Sequence, residues 1–107
     1  MRHTISIEEI RSLCDSGSIV WSEHCGTRMR GRKIKRADVL CCVQNGEIIE
    51  DYPADIAPSC LIFGLSTAEN ILHAVCGIKD DTVHMITAYY PSKDKWEDDY
   101  KTRKAVK

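Results

Sequence analysis

Apolar positions recur at helical spacing up to Asn45 and at strand spacing beyond Gly46, so the chain divides into a helical first part and a β-rich second part. Ser6 followed by Glu9 forms a capping box, and Ile5 with Ile10 supplies the hydrophobic staple around it. These signals predict a helix from Ile7 to about Cys14, broken by Asp15, Ser16 and Gly17. Ser22 is the natural N-cap of a second helix reaching about Arg32, with Trp21, Cys25 and Met29 as its apolar stripe. A third helix carries Val39, Leu40 and Val43 inward and stops at Asn45-Gly46.

Four strands are predicted after that point: Ile48 and Ile49, then 59–65, 71–78 and 83–90, paired as an antiparallel meander. A three-residue loop at Lys79-Asp80-Asp81 would set Ile78 opposite Thr82, His73 opposite Thr87 and Ile71 opposite Tyr89. A slip of one residue would set His73 opposite Ala88 instead. In this register His84 lies on the face opposite Thr87. Past Pro91, Trp96, Tyr100 and Arg103 stand at i, i+4 and i+7, which predicts a short C-terminal helix. The fold class expected is α+β: N-terminal helices packed on a four-stranded antiparallel sheet, with a short helix at the end, in one domain over 1–107.

Composition fits one globular domain, with 43% hydrophobic and 29% charged residues. No apolar run approaches the ~20 residues of a membrane helix, and the start MRHTISIEE lacks the apolar core of a signal peptide. A cytoplasmic protein without a membrane association is the expectation. The six cysteines contain no CxxC, and Cys41 and Cys42 point to different sides of a helix. They read as reduced, small apolar residues rather than as disulfides or metal ligands. No metal and no cofactor is expected, and a redox or metal protein using these thiols stands as a third functional class.

Net charge is −1 and the sequence pI about 6.4, against a whole-surface nucleic-acid binder. The charge is unevenly placed. From Arg28 to Arg36 six of nine residues are Arg or Lys, whereas Glu47 to Asp55 holds four carboxylates and no cation. On the second helix His24, Arg28 and Arg32 follow one another at i, i+4 and i+8, so they share a face that borders the buried stripe. An imidazole titrates near neutral pH, and guanidiniums fork onto phosphate.

His73, in the apolar strand ILHAVCGI, is the second candidate imidazole, although a satisfied structural histidine has the same profile. His3 and His84 read as surface residues. With Arg28, Arg32 and Arg103 as cations, His24 and His73 meet the needs of metal-independent RNA cleavage, in which a base takes the 2′-hydroxyl proton and an acid protonates the 5′ leaving oxygen. Thr87 and Tyr89 are candidates to bind phosphate or stack on a base, and Lys104 joins them as a candidate substrate contact at the solvated end, beside Lys107. The carboxylates Glu50, Asp51, Asp55 and Glu97, Asp98, Asp99 have no interleaved histidines and read as solvated faces. Cys25 neighbours His24, but adjacent helical residues do not face each other. The other reading is a non-catalytic module whose basic helix 28–36 holds RNA, or the acidic face of a protein, by charge.

The segments WSEHCGTRMRGRKIKRADVL, GEIIEDYPADIAPSCLIFG, ILHAVCGI and ITAYYPSKDKWEDDYKTRK together resemble a bacterial family of small proteins whose domain has no assigned function. Its members resemble BrnT and RelE-type toxins and are often encoded beside a YgiT-type, MqsA-like zinc-finger antitoxin. The likeness runs over 20–104, leaving 1–19 as an N-terminal helix extension. It implies a fold of the barnase, EndoU, colicin and RelE type and a toxin-like endoribonuclease, with RNA such as mRNA and a zinc-finger antitoxin as partners; a homodimer is also open. The family site maps onto His24, Arg28, His73, Thr87, Tyr89 and Arg103, and Arg32 also matches. The chain departs from the pattern at Lys35, where a capping Ser or Thr is common, and at Cys25-Gly26, where alanine is common.

Overall fold

The computed structural model describes residues 4–54 and 57–105, so His3, Asp55 and Lys107 lie outside the described residues. Three helices come first: α1 (Ile7–Asp15), α2 (Glu23–Gly31) and α3 (Arg36–Asn45). The helix starts follow from the side chains foreseen. Ser6 Oγ accepts from Glu9 N at 3.1 Å and Ser22 Oγ accepts from Cys25 N at 3.0 Å, each satisfying an amide that the helix leaves unpaired. Lys35 cannot cap α3 in that way. Asp38 takes over part of the task, accepting from Lys35 N at 3.0 Å through one oxygen and from Thr67 N at 3.1 Å and Thr67 Oγ1 at 2.5 Å through the other. These bonds, that from the Thr67 hydroxyl first, hold its carboxyl below the usual carboxylate range and tie α3 to the turn between two strands.

The sheet has five strands rather than four. Strands β1 (Ile19–Trp21), β2 (Glu47–Tyr52), β3 (Ser59–Leu65), β4 (Ile71–Lys79) and β5 (Thr82–Tyr89) lie in the order β1-β5-β4-β3-β2. The last four form the expected antiparallel meander. Strand β1 adds to the outer side of β5 in parallel, Ile19 to Trp21 beside Val83 to Met85. It is three residues long and lies far from β5 in sequence, so no local period announces it. Because β1 covers only the first half of β5, the edge from Thr87 onward is open to the end of α2.

The β4–β5 hairpin also departs from expectation. Its loop is the two residues Asp80-Asp81, both left-handed with φ of 54° and 55°, the conformation of a type I′ turn, and Lys79 pairs with Thr82. Farther along, Cys76 faces Met85 but Val75 faces Thr87, so a bulge at Ile86 shifts the register again. His73 therefore pairs with Tyr89, not with Thr87 or Ala88. The two offsets of one residue cancel in side-chain parity, so His73, Thr87 and Tyr89 still project from one face. The bulge also carries His84, expected on the other side, onto that face.

The opposite face of the sheet holds the core. Cys60, Ile62, Leu72, Ala74, Cys76, Val83, Met85 and Ala88 pack there against Ile10, Cys25, Met29, Val39, Cys42 and Val43 from the helices. Gly64 sits where α3 crosses: a Cβ there would collide with the carbonyl of Cys42 and come within 2.9 Å of its sulfur. Arg11 of α1 donates to the carbonyls of Val43 at 3.0 Å and Gly46 at 2.8 Å, which caps the C-terminal end of α3.

The tail is not a helix. Residues 92–104 run as turns across the face of the sheet away from the helices, closed on themselves by a bridge between Trp96 and Arg103. Asp99 explains the break: its Oδ1 accepts from Lys101 N at 2.9 Å and Thr102 N at 3.0 Å, and Tyr100 takes a left-handed φ of 56°. Among the described residues no helix is long and apolar enough to cross a membrane.

Candidate functional site

The tail is strapped to the sheet by charge and by one aromatic. Lys101 Nζ meets Glu47 Oε1 at 2.9 Å and lies 4.8 Å over the Phe63 ring. Arg103 forks onto Glu50, Nε to Oε2 at 2.7 Å and Nη2 to Oε1 at 3.0 Å. That pairing draws the Glu50 carboxyl below its ordinary range and raises the Arg103 guanidinium. Trp96 is 2% exposed, with its ring standing perpendicular to that of His73 at 4.6 Å and the Arg103 guanidinium 4.7 Å above it.

His73 is consequently sealed, with no exposed surface. Its Nε2 lies 2.7 Å from the carbonyl of Tyr100, which can only accept, so Nε2 carries a proton. Burial lowers the pKa of the ring, more than the Tyr100 carbonyl and Glu50 raise it, so His73 is neutral. Its Nδ1 then accepts from the hydroxyl of Tyr89 at 3.3 Å. Burial raises the Tyr89 phenol, which keeps that proton in place.

Between the strap, the open half of the β5 edge and the end of α2 lies a cleft of about 490 Å³. Arg28, Arg32, Lys95 and Arg103 line it together with the hydroxyl-bearing Thr87, Tyr89, Tyr90 and Ser92, and with Trp96. No carboxylate is among these lining residues. Arg32 reaches the cleft by crossing the unpaired β5 edge, where its Nη1 donates to Thr87 Oγ1 at 3.1 Å and to Ala88 O at 2.8 Å. Arg28 Nε donates to His24 Nε2 at 2.8 Å, so that nitrogen holds a lone pair. An arrangement of four cations and several hydroxyls suits an anion with several oxygens, phosphate above all.

Of the residues singled out in the sequence, Arg28, Arg32, Thr87, Tyr89 and Arg103 come together in this cleft. His24 stands outside it, exposed and one hydrogen bond away through Arg28. His73 stands behind it, one hydrogen bond away through Tyr89. Lys104 does not reach it: its side chain is exposed, and its backbone N pairs with the carbonyl of Lys95 at 2.9 Å. Sequence reasoning missed Lys95, Tyr90, Ser92 and the role of Glu50. The only local signal was the reversed charge of the two segments that meet there, acidic β2 and the basic end of the strap. Among the described residues no cluster of His, Cys, Asp or Glu is placed to hold a metal ion.

No curated protein and no solved structure matches the chain. The family model of a domain of unknown function, DUF4258, matches residues 21–90, which run from the end of β1 through β5. On that match, which covers most of its length, the chain belongs to the DUF4258 family.

Proposed function

We propose that the cleft binds the phosphodiester of single-stranded RNA and that the protein is a toxin-like, metal-independent endoribonuclease acting in the cytoplasm. The observation that carries this reading is the convergence of Arg28 and Arg32 from the end of α2 with Lys95 and Arg103 from the strap onto one cleft whose lining holds no carboxylate. Such preorganised cations stabilise the charge that builds on the phosphorus oxygens as the 2′-oxygen attacks. His24, with a lone pair on Nε2, takes the 2′-hydroxyl proton once Arg28 turns to phosphate. The phenol of Tyr89, kept protonated, turns its hydrogen from His73 Nδ1 toward the 5′ leaving oxygen and gives it up there. Water returns a proton to Tyr89 and removes the one on His24. His73 is then a positioning residue, orienting the Tyr89 hydroxyl from below.

The test is cleavage of RNA by the full chain in EDTA. His24→Ala and Arg28→Ala are expected to slow it by at least ~10²-fold, and Tyr89→Phe by a similar factor. Undiminished cleavage in His24→Ala and Arg28→Ala would overturn the mechanism. Arrest of growth on expression, relieved by His24→Ala, and a neighbouring gene for a small CxxC zinc-finger protein would support the toxin reading.

One observation favours a second reading: both nitrogens of His73 are engaged and the ring is sealed, so one of the two imidazoles is not offered to a substrate. A binding module would hold RNA with steep salt dependence, lose affinity in Arg28→Ala and leave the RNA intact.

A further inference from the structure

A second cavity, of about 710 Å³, adjoins the cationic cleft and shares Arg32 and Tyr90 with it. Its remaining walls differ in character from the first. Tyr100, Glu69, Asn70 and Lys33 line it, so an aromatic, a carboxylate and an amide stand beside the consecutive cations Arg32 and Lys33. Tyr90 is 41% exposed at the boundary between the two cavities, so its ring is open to a stacking partner.

We propose that this second cavity is a nucleobase subsite, in which the base attached to the phosphate held in the cleft stacks on Tyr90 and is read by Glu69 and Asn70. The proposal rests on the phosphate reading of the cleft. A strand whose phosphate sits against Arg32 in one cavity must lead its sugar and base away from that phosphate, and the adjoining cavity begins at Arg32. Stacking on an exposed tyrosine accepts any base, because every base has a π-face. Selection comes from the edge. An ionised carboxylate only accepts hydrogen bonds, so Glu69 favours a base with N–H groups side by side, and guanine presents two, N1–H and N2–H. Uracil presents one, flanked by two carbonyl oxygens that repel a carboxylate. Lys33 and the Asn70 amide add donors suited to the O6 of guanine. The site therefore takes a guanine nucleotide ahead of a uracil nucleotide.

The experiment titrates the full chain, followed by NMR chemical shifts, with ribose 5-phosphate, with guanosine 5′- and 3′-monophosphate and with uridine 5′- and 3′-monophosphate. The better guanosine form is expected to bind about tenfold more tightly than ribose 5-phosphate, as stacking of one base predicts, with the uridine forms between. Tyr90→Ala should bring the guanosine forms down to the affinity that ribose 5-phosphate has for the same variant, and Tyr90→Phe should keep the gain from the base. Glu69→Gln should erase the preference of guanine over uracil without touching the affinity for ribose 5-phosphate. If all five ligands bind alike and all lose affinity in Arg28→Ala, the phosphate cleft stands and the base subsite is refuted. Base-dependent affinity that survives Tyr90→Ala also refutes it. If none binds, the phosphate reading falls, and this proposal with it.

Discussion

Trp96→Ala tests whether the strap is held as described. The indole is 2% exposed, wedged between the ring of His73 and the Arg103 guanidinium. Burying ~150–250 Å² at ~25 cal/mol/Å² gives an upper bound of about 4–6 kcal/mol for its contribution. The loss will fall below that bound. A strap that has lost its anchor comes off the sheet, and each residue freed recovers ~1–2 kcal/mol of backbone entropy, so the net destabilisation settles at about 3 kcal/mol, the low end for Trp→Ala. Urea unfolding followed by far-ultraviolet circular dichroism measures it.

A second readout follows from chemistry. In the parent protein burial depresses the pKa of His73, so the folded state resists a proton that the unfolded chain accepts near its ordinary pKa of ~6.5. The stability this supplies is complete above that pH and is lost as pH falls toward the lower, folded pKa. With Trp96 removed, water reaches the ring, the His73 pKa climbs toward ~6.5, and the pH dependence of stability below about pH 6.5 flattens. An NMR titration of the ring protons follows the shift. A loss below ~1 kcal/mol together with an unchanged His73 titration would refute the strap as the seal over this histidine.

Three further outcomes are expected. Glu50→Gln should lower stability by less than ~1 kcal/mol, since the Arg103 side chain of the pair is 56% exposed, yet it should strengthen RNA binding severalfold by releasing Arg103 to phosphate; weaker binding in a filter assay would contradict the cleft's charge balance. Asp38→Ala should lose about 2 kcal/mol at neutral pH, because it strips an acceptor from Lys35 N and from Thr67. Its folded pKa is depressed, so the gap between parent and variant should close as pH falls below ~4, and a gap constant to pH 2 would count against the assignment. With iodoacetamide at pH 8, Cys14 and Cys41 should be alkylated before Cys25, Cys42, Cys60 and Cys76, which are buried, burial pushing the Cys42 thiol to about 12; mass mapping that finds Cys42 labelled as fast as Cys41 in the native state would refute the core packing.

Much of the architecture was legible because it rests on local chemistry. Ser6 and Ser22 mark helix starts by what their hydroxyls can accept, and the boundaries of β3 follow from a run of apolar residues between turn formers. What was missed rests on long-range pairing or on backbone states the residue names disguise. Strand β1 exists because β5 is there to receive it. The turn Asp80-Asp81 adopts two left-handed residues without a glycine, so one residue too many was given to the loop. The spacing of Trp96, Tyr100 and Arg103 imitates a helix, yet Asp98-Asp99 ahead of Tyr100 carries the signature of a turn. The candidate site was half visible. A stripe at helical spacing located Arg28 and Arg32, whereas the burial of His73 depends on the tail that folds over it.

The strap has a modular consequence. The family match ends at Tyr90, while Lys95, Trp96 and Arg103, which build one wall of the cleft, come after it. The matched segment therefore carries one wall of the cleft, from α2 and β5, and the strap that follows it carries the other. Another sequence in place of residues 92–104 would leave Arg28, Arg32 and Tyr89 where they are and present a different opposite wall. One wall of the cleft can thus be rebuilt through a single contiguous segment without touching the helices or the sheet.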